Sequence, residues 1–218
     1  MARLGWFAAA LVLLPLGQVL AEPAQFNDKG EVLRPADYRE WVFLTSGLGM
    51  TYGPNAVRPG QPAPFSNVFV NPESYRAFMQ TGRWPNGTMF VLEIRRALEN
   101  VSINNGGRTQ GDVVAVEASV KDTARYPDGG WAYLTFDGPQ GLQSAAAPFP
   151  RTQSCYSCHS ANGAVEWTFT QFYPAQFEVA KRLGTVRADY DPCGSFAGVV
   201  RFPSAYIGRI CDIISDRH

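Results

Sequence analysis

Thr88-Met89-Phe90-Val91-Leu92-Glu93-Ile94-Arg95-Arg96-Ala97-Leu98 is a β-rich run, and with Val113 to Val120 and Trp131 to Phe136 it decides the fold. These runs are dense in β-branched and aromatic residues and are separated by turn residues such as Asn, Gly, Asp and Pro. Together they predict an antiparallel sheet at the centre of the chain. Working outward, Pro35 to Thr45 reads as a helix, with Pro35 suited to the first turn and Tyr38, Trp41, Val42 and Leu44 at helical spacing. Asn67 to Asn71 is a short strand. Asn71-Pro72-Glu73-Ser74 then opens a helix, with Asn71 as its cap and Pro72 at the first helical position, ending near Gly82. Trp167 to Leu183 is helical in character, but Pro174 must kink or break it. The Gly- and Pro-rich stretch Gly47 to Pro64 and the stretch Asn100 to Gly111 read as loops. The expected class is α+β: a mainly antiparallel β-sheet with flanking helices.

Downstream of the sheet lies Cys155-Tyr156-Ser157-Cys158-His159. Two thiols at this spacing can add across the vinyl groups of one haem, and the histidine that follows is then held beneath the iron as its proximal ligand. Thiol redox proteins and zinc sites also use CxxC. Zinc needs two further ligands, for which only Cys193, Cys211 and His218 remain, and none of them forms a second close pair. A thioredoxin-like site needs the motif at a helix start after a buried strand, whereas the loop Ala145 to Ser154 leads in here. The motif therefore predicts one covalent haem c, with Cys155 and Cys158 as thioether residues and His159 on the iron. It sits on a sheet-centred chain, unlike the all-helical packing of most small c-type cytochromes.

The N-terminus supplies a compartment for this chemistry. Met1-Ala2-Arg3 is a short positive start, Leu4 to Leu16 is an apolar run, and Val19-Leu20-Ala21 places small residues at a peptidase site. Residues 1–21 read as a cleaved signal peptide, with a retained anchor as the alternative, so the mature chain starts at Glu22 and is exported, in a bacterium to the periplasm or beyond. Residues 22–190 then form one haem domain and 191–218 a C-terminal extension. Nineteen acidic residues balance nineteen basic ones, and no charge run marks nucleic acid or an acidic membrane surface as partner.

The sixth position on the iron is open by counting. His218 is the last residue, and the methionines of the mature chain are Met50, Met79 and Met89. Met50, in the Gly-rich loop, is the best candidate ligand of the three; each is otherwise plain core filling. Arg151 is either a haem-propionate partner or a surface arginine. Glu166 reads as a solvated helix residue rather than a catalytic base. With two histidines in the chain, no Ser/His/Asp set can be assembled.

Phe26 to Glu31, Tyr38 to Val42, Val70-Asn-Pro-Glu-Ser-Tyr75, Gly82 to Thr88, Val120-Lys-Asp-Thr123, Trp131-Ala-Tyr133, the CxxCH motif and Gln171-Phe-Tyr-Pro174 resemble the cytochrome P-460 family, in the family's order. The resemblance implies an antiparallel-sheet fold, a homodimer, and one c-type haem on a single proximal histidine. The family holds hydroxylamine-oxidising enzymes and the gas-binding cytochromes c′-beta. In the enzymes a lysine is cross-linked to the haem edge; matching Gly87-Thr88 and the strand after it puts Leu92 at that position, and leucine cannot form the bond. Ser66 or Asn67 stands where the enzymes carry a distal arginine. Read alone, Phe90 and Leu92 are core residues of a sheet. With the resemblance, they share the face toward the haem and form an apolar distal lining without a proton donor or acceptor.

The expected function is thus a periplasmic mono-haem cytochrome that binds NO or CO at an open iron position. An electron-transfer cytochrome with a partner protein, and an enzyme acting on hydroxylamine or NO, stand as alternatives. Cys193 and Cys211 lie beyond the family-like blocks in an exported chain, and are expected to form a disulfide that staples the extension.

Overall fold

The computed structural model describes residues 24–50 and 63–190. The expected signal peptide, Cys193, Cys211 and His218 lie outside them. The centre is a five-stranded antiparallel sheet in the order β2-β3-β4-β5-β6. Its strands are β2 (Val42–Leu48), β3 (Phe65–Val70), β4 (Met89–Glu99), β5 (Arg108–Lys121) and β6 (Trp131–Thr135). The short strands β1 (Val32–Leu33) and β9 (Ala145–Ala146) pair with each other, as do β7 (Asp137–Gly138) and β8 (Gly141–Leu142). Among the described residues the α-helices are α1 (Pro72–Thr81), α2 (Ser154–Asn162) and α3 (Pro174–Arg182). This is the expected α+β class with a mainly antiparallel sheet.

The register divides the side chains between two cores. Val70, Phe90, Ser119 and Tyr133 form one cross-strand row, and Val68, Leu92, Glu117 and Thr135 form the next on the same face. That face packs against all three helices through Phe78 of α1, Tyr156 of α2 and Val179 and Ala180 of α3. The opposite face carries Met89, Val91, Val116, Ala118, Val120 and Leu134 under Val32, Tyr38 and Ala146. Successive residues along each strand thus point alternately into one core and the other, and the face toward the helices is the one that borders the CxxCH helix.

Several local expectations are corrected. Pro35 to Thr45 is not a helix: a single 3-10 turn at Tyr38–Glu40 gives way to the edge strand β2. Val42 to Leu48 suits either period over so short a run, and pairing with β3 decides it. The Asn71 side chain does not cap α1. It accepts from the Met89 amide at 2.9 Å and donates to the Gly87 carbonyl, stitching the helix entrance to β4. Pro72 does begin α1, and Gly82 ends it with φ of 67°. The expected loop Asn100 to Gly111 is shorter, because Arg108, Thr109 and Gln110 open β5 opposite Glu99, Leu98 and Ala97. Gly47 and Leu48 likewise belong to β2 rather than to the loop. The Trp167 to Leu183 segment breaks as expected, into a 3-10 turn at Thr170–Phe172 and α3, which starts at Pro174.

Candidate functional site

Helix α2 carries the CxxCH motif against the sheet. It is held there by Tyr156, whose hydroxyl donates to the Phe149 carbonyl at 2.9 Å and whose ring meets Tyr133 edge-on at 5.0 Å. Cys155 and Cys158 are one helical turn apart and both half-buried, and with His159 they line a single cavity of about 300 Å³. The Cys155 thiol is pushed up by burial and then by the Glu117 charge.

His159 is presented in one tautomer. Its Nδ1 lies 2.9 Å from the Trp167 carbonyl, which can only accept, so Nδ1 carries the proton and Nε2 keeps the lone pair. Burial lowers its pKa to about 4, outweighing that carbonyl, so the ring is neutral at ordinary pH. Tyr133 and Phe169 flank it at 4.2 and 4.3 Å between ring centroids. A neutral, oriented imidazole and two thiols from one helix face, opening on a cavity walled by Val68, Phe90, Leu92, Tyr133, Phe149, Phe169 and Tyr173, fit a haem. Zinc is a poorer fit, since among the described residues no group of three or more His, Cys, Asp or Glu is gathered.

The wall opposite α2 comes from the sheet. Leu92 borders the cavity between Val68 and Glu117, its cross-strand neighbours. None of the three lysines lines it: Lys121, for instance, is 3.0 Å from Glu166 beside Trp84. Phe90 also lines the cavity; it is 4% exposed and packed by Trp84, Trp131 and Tyr173. It stands in the row of Tyr133, which touches His159; Leu92 stands one row further out. Ser66 lines the cavity, while Asn67 points to the other face and bonds Gln110 at 2.6 Å. Met50 also lines it. Met89 is buried in the opposite core, and Met79, on α1, lies against Gln176 of α3.

Two polar residues occupy unexpected places. Arg151 is outside the cavity lining; its guanidinium donates to the Asp128 carbonyl and lies 4.5 Å over the Tyr156 ring. Glu166 is not on a helix. It sits at φ of 47° between α2 and the Thr170 turn, and its carboxylate accepts from the Trp84 amide at 2.9 Å.

Sequence reading missed Glu117. Glu117 is solvent-exposed where it borders the cavity, yet the protein atoms around its carboxyl desolvate it enough, with the Asp137 charge second, to raise its pKa. The lining is therefore not wholly apolar. The clue was the alternation in Val113 to Val120, where Glu117 and Ser119 oppose the apolar set Val116, Ala118 and Val120; placing it beside Leu92 required the register. A larger opening of about 550 Å³, bordered by Arg34, Asp37, Glu40, Trp41 and Glu73, holds none of the motif residues.

No curated protein matches the chain. Residues 35–170, from just before the Tyr38–Glu40 turn through the CxxCH helix to the Thr170 turn, match the Cytochrome P460 family. The chain belongs to the cytochrome P460 family and is a haem-binding cytochrome.

Proposed function

We propose that the protein is an exported mono-haem c-type cytochrome that binds NO or CO at an open iron position. Cys155 and Cys158 hold the haem through thioethers, and His159 is its proximal ligand. The observation that carries this reading is Leu92: the cavity that receives Cys155, Cys158 and His159 has leucine, and no lysine, on its sheet wall. A haem iron on one imidazole supplies an open position for a diatomic ligand. This chain's residues exclude water with Val68, Leu92 and Phe149, orient the imidazole through Trp167, and place one carboxyl, Glu117, in the wall.

A second reading rests on Met50, which borders the same cavity. A thioether on the iron fills the sixth position and favours electron transfer. Intact mass and electronic spectra separate the readings. The mass should equal the chain from Glu22 plus one haem that acidified organic solvent does not extract. The ferric and ferrous spectra should be five-coordinate and change on adding NO. Extractable haem sinks the covalent attachment, and a low-spin six-coordinate resting spectrum moves the assignment to electron transfer.

A further inference from the structure

The acceptor on which the His159 imidazole depends, the Trp167 carbonyl, is shared and held in place. It takes the Nδ1–H of His159 at 2.9 Å and the hydroxyl of Tyr133 at 3.1 Å. Glu166 and Trp167 both sit at positive φ, 47° and 64°, where side chains with a Cβ are strained. Other contacts hold this turn. The Glu166 carboxylate accepts from the Trp84 amide at 2.9 Å and from Lys121 Nζ at 3.0 Å, with Arg83 at 3.6 Å. Trp84 Nε1 in turn donates to the hydroxyls of Thr168 and Thr170, both at 3.2 Å. Gly163 lets the turn fold back on α2, since a Cβ there would lie within 2.8 Å of the His159 carbonyl oxygen and of backbone atoms of Trp167 and Thr168.

We propose that Tyr133 is a positioning residue that tunes His159: by sharing the Trp167 carbonyl with Nδ1–H, its hydroxyl weakens that hydrogen bond and lowers the electron-donating strength of the imidazole toward haem iron. The inference rests on the reading of His159 as the axial ligand. A carbonyl oxygen has two lone pairs, and two donors draw on the same electron density. A strong acceptor on Nδ1–H makes a histidine a more basic ligand, so an acceptor divided between two donors makes it a less basic one. The ring of Tyr133 has its own packing, 5.0 Å from Tyr156 and 4.2 Å from His159, so the hydroxyl can be removed without removing the contact.

The test uses the full-length haem-loaded protein and its Tyr133→Phe variant. Reduction potential is measured by spectroelectrochemistry, and the iron–histidine stretching frequency by resonance Raman on the ferrous form. With the carbonyl left to His159 alone, the potential should shift negative and the frequency should rise. Both values unchanged, or moved the opposite way, overturn the proposal. Should Tyr133→Phe not fold, replacing Tyr133 with 3-fluorotyrosine provides the second arm. It keeps the ring and makes the hydroxyl a stronger donor to the Trp167 carbonyl. The frequency should then fall and the potential rise, and no change overturns the proposal equally. If the wild-type protein shows no haem absorption, the haem reading itself fails, which is a different result from haem-loaded variants that do not shift.

Discussion

Leu92 and Glu117 stand directly opposite each other on β4 and β5, and both side chains border the cavity that receives His159. One wall thus combines a group that cannot exchange a proton with one that can. Burial, and the Asp137 charge after it, raise the Glu117 pKa, so its protonated form persists to higher pH than in a free glutamate. Leucine at the neighbouring position keeps the wall free of amine. A carboxyl in the wall suits ligand chemistry that moves protons; an amine would be needed to bond the haem edge.

The absence of that amine makes a spectroscopic prediction. Wild-type protein should show an ordinary c-type Soret band in the ferrous form, because none of the three lysines lines the cavity. Hydroxylamine should be oxidised slowly or not at all with an artificial electron acceptor. A strongly red-shifted ferrous Soret band, or rapid turnover, would show that another residue performs the cross-link or replaces it.

Acid should unfold the protein partly through one buried carboxylate on the far side of the sheet. Glu93 has a 2% exposed side chain and accepts from Tyr38 Oη at 2.5 Å, from Arg39, and from Arg95. Burial alone would raise its pKa, but the hydrogen bonds from Arg95, Tyr38 and Arg39 outweigh it and lower it from 4.5 to about 2. A depressed carboxylate stabilises the folded state above its unfolded pKa, and this contribution is lost as pH falls through the folded pKa. The loss should therefore run between roughly pH 4.5 and 2 and amount to about 3 kcal/mol, at about 1.4 kcal/mol per unit. Glu93→Gln should flatten the acid limb of a urea-stability profile over that window and cost about 3–5 kcal/mol at neutral pH, since Arg39 and Arg95 lose their counter-charge. An equally steep acid limb in the variant would place the titration elsewhere.

What the sequence disclosed follows from which signals are local. Cys155, Cys158 and His159 share one turn of helix, so their spacing is enough to bring them together. The strands around Phe90, Val116 and Tyr133 declare themselves by residue type, and Pro72 and Gly82 by backbone restriction. Glu117, Tyr133 and the Trp167 carbonyl were hidden because their roles arise from register and from a loop returning 8 residues after His159. Tyr38 misled the reading toward a helix. Its period fits one, yet its hydroxyl is drawn to Glu93, 55 positions away. Contacts at such separation leave no mark on local pattern.

Cys193 and Cys211 lie outside the described residues, and the expectation that they pair rests on compartment and on the haem claiming the other two thiols. An unstrained bridge over a loop of this size stabilises by about 3 kcal/mol in the chain-entropy picture. Thiol titration of the unfolded, unreduced holoprotein should find no reactive thiol. Two per chain would refute the bridge, and reduction of a true bridge should lower the melting temperature.

Gas entry should be governed by Leu92 more than by Phe90. Both border the cavity, but Phe90 is 4% exposed and enclosed by Trp84, Trp131 and Tyr173, in the row nearest His159. Leu92 stands one row further out, between Val68 and Glu117, where it can cover the open side of the haem. Leu92→Ala removes bulk from the wall, so CO association with the ferrous protein should accelerate, measured by stopped-flow mixing. Phe90→Ala empties a packed aromatic cluster, so it should cost about 3–5 kcal/mol in denaturant unfolding, with a smaller change in CO rate. Bound O₂ carries negative charge and gains more than NO or CO from a hydrogen-bond donor, which Leu92 does not offer; a protonated Glu117 can. Raising pH through the Glu117 titration should therefore weaken O₂ binding while leaving CO association nearly constant. Equal CO rates for Leu92→Ala and wild type would remove Leu92 from the ligand path, and a larger acceleration in Phe90→Ala would return Phe90 to it.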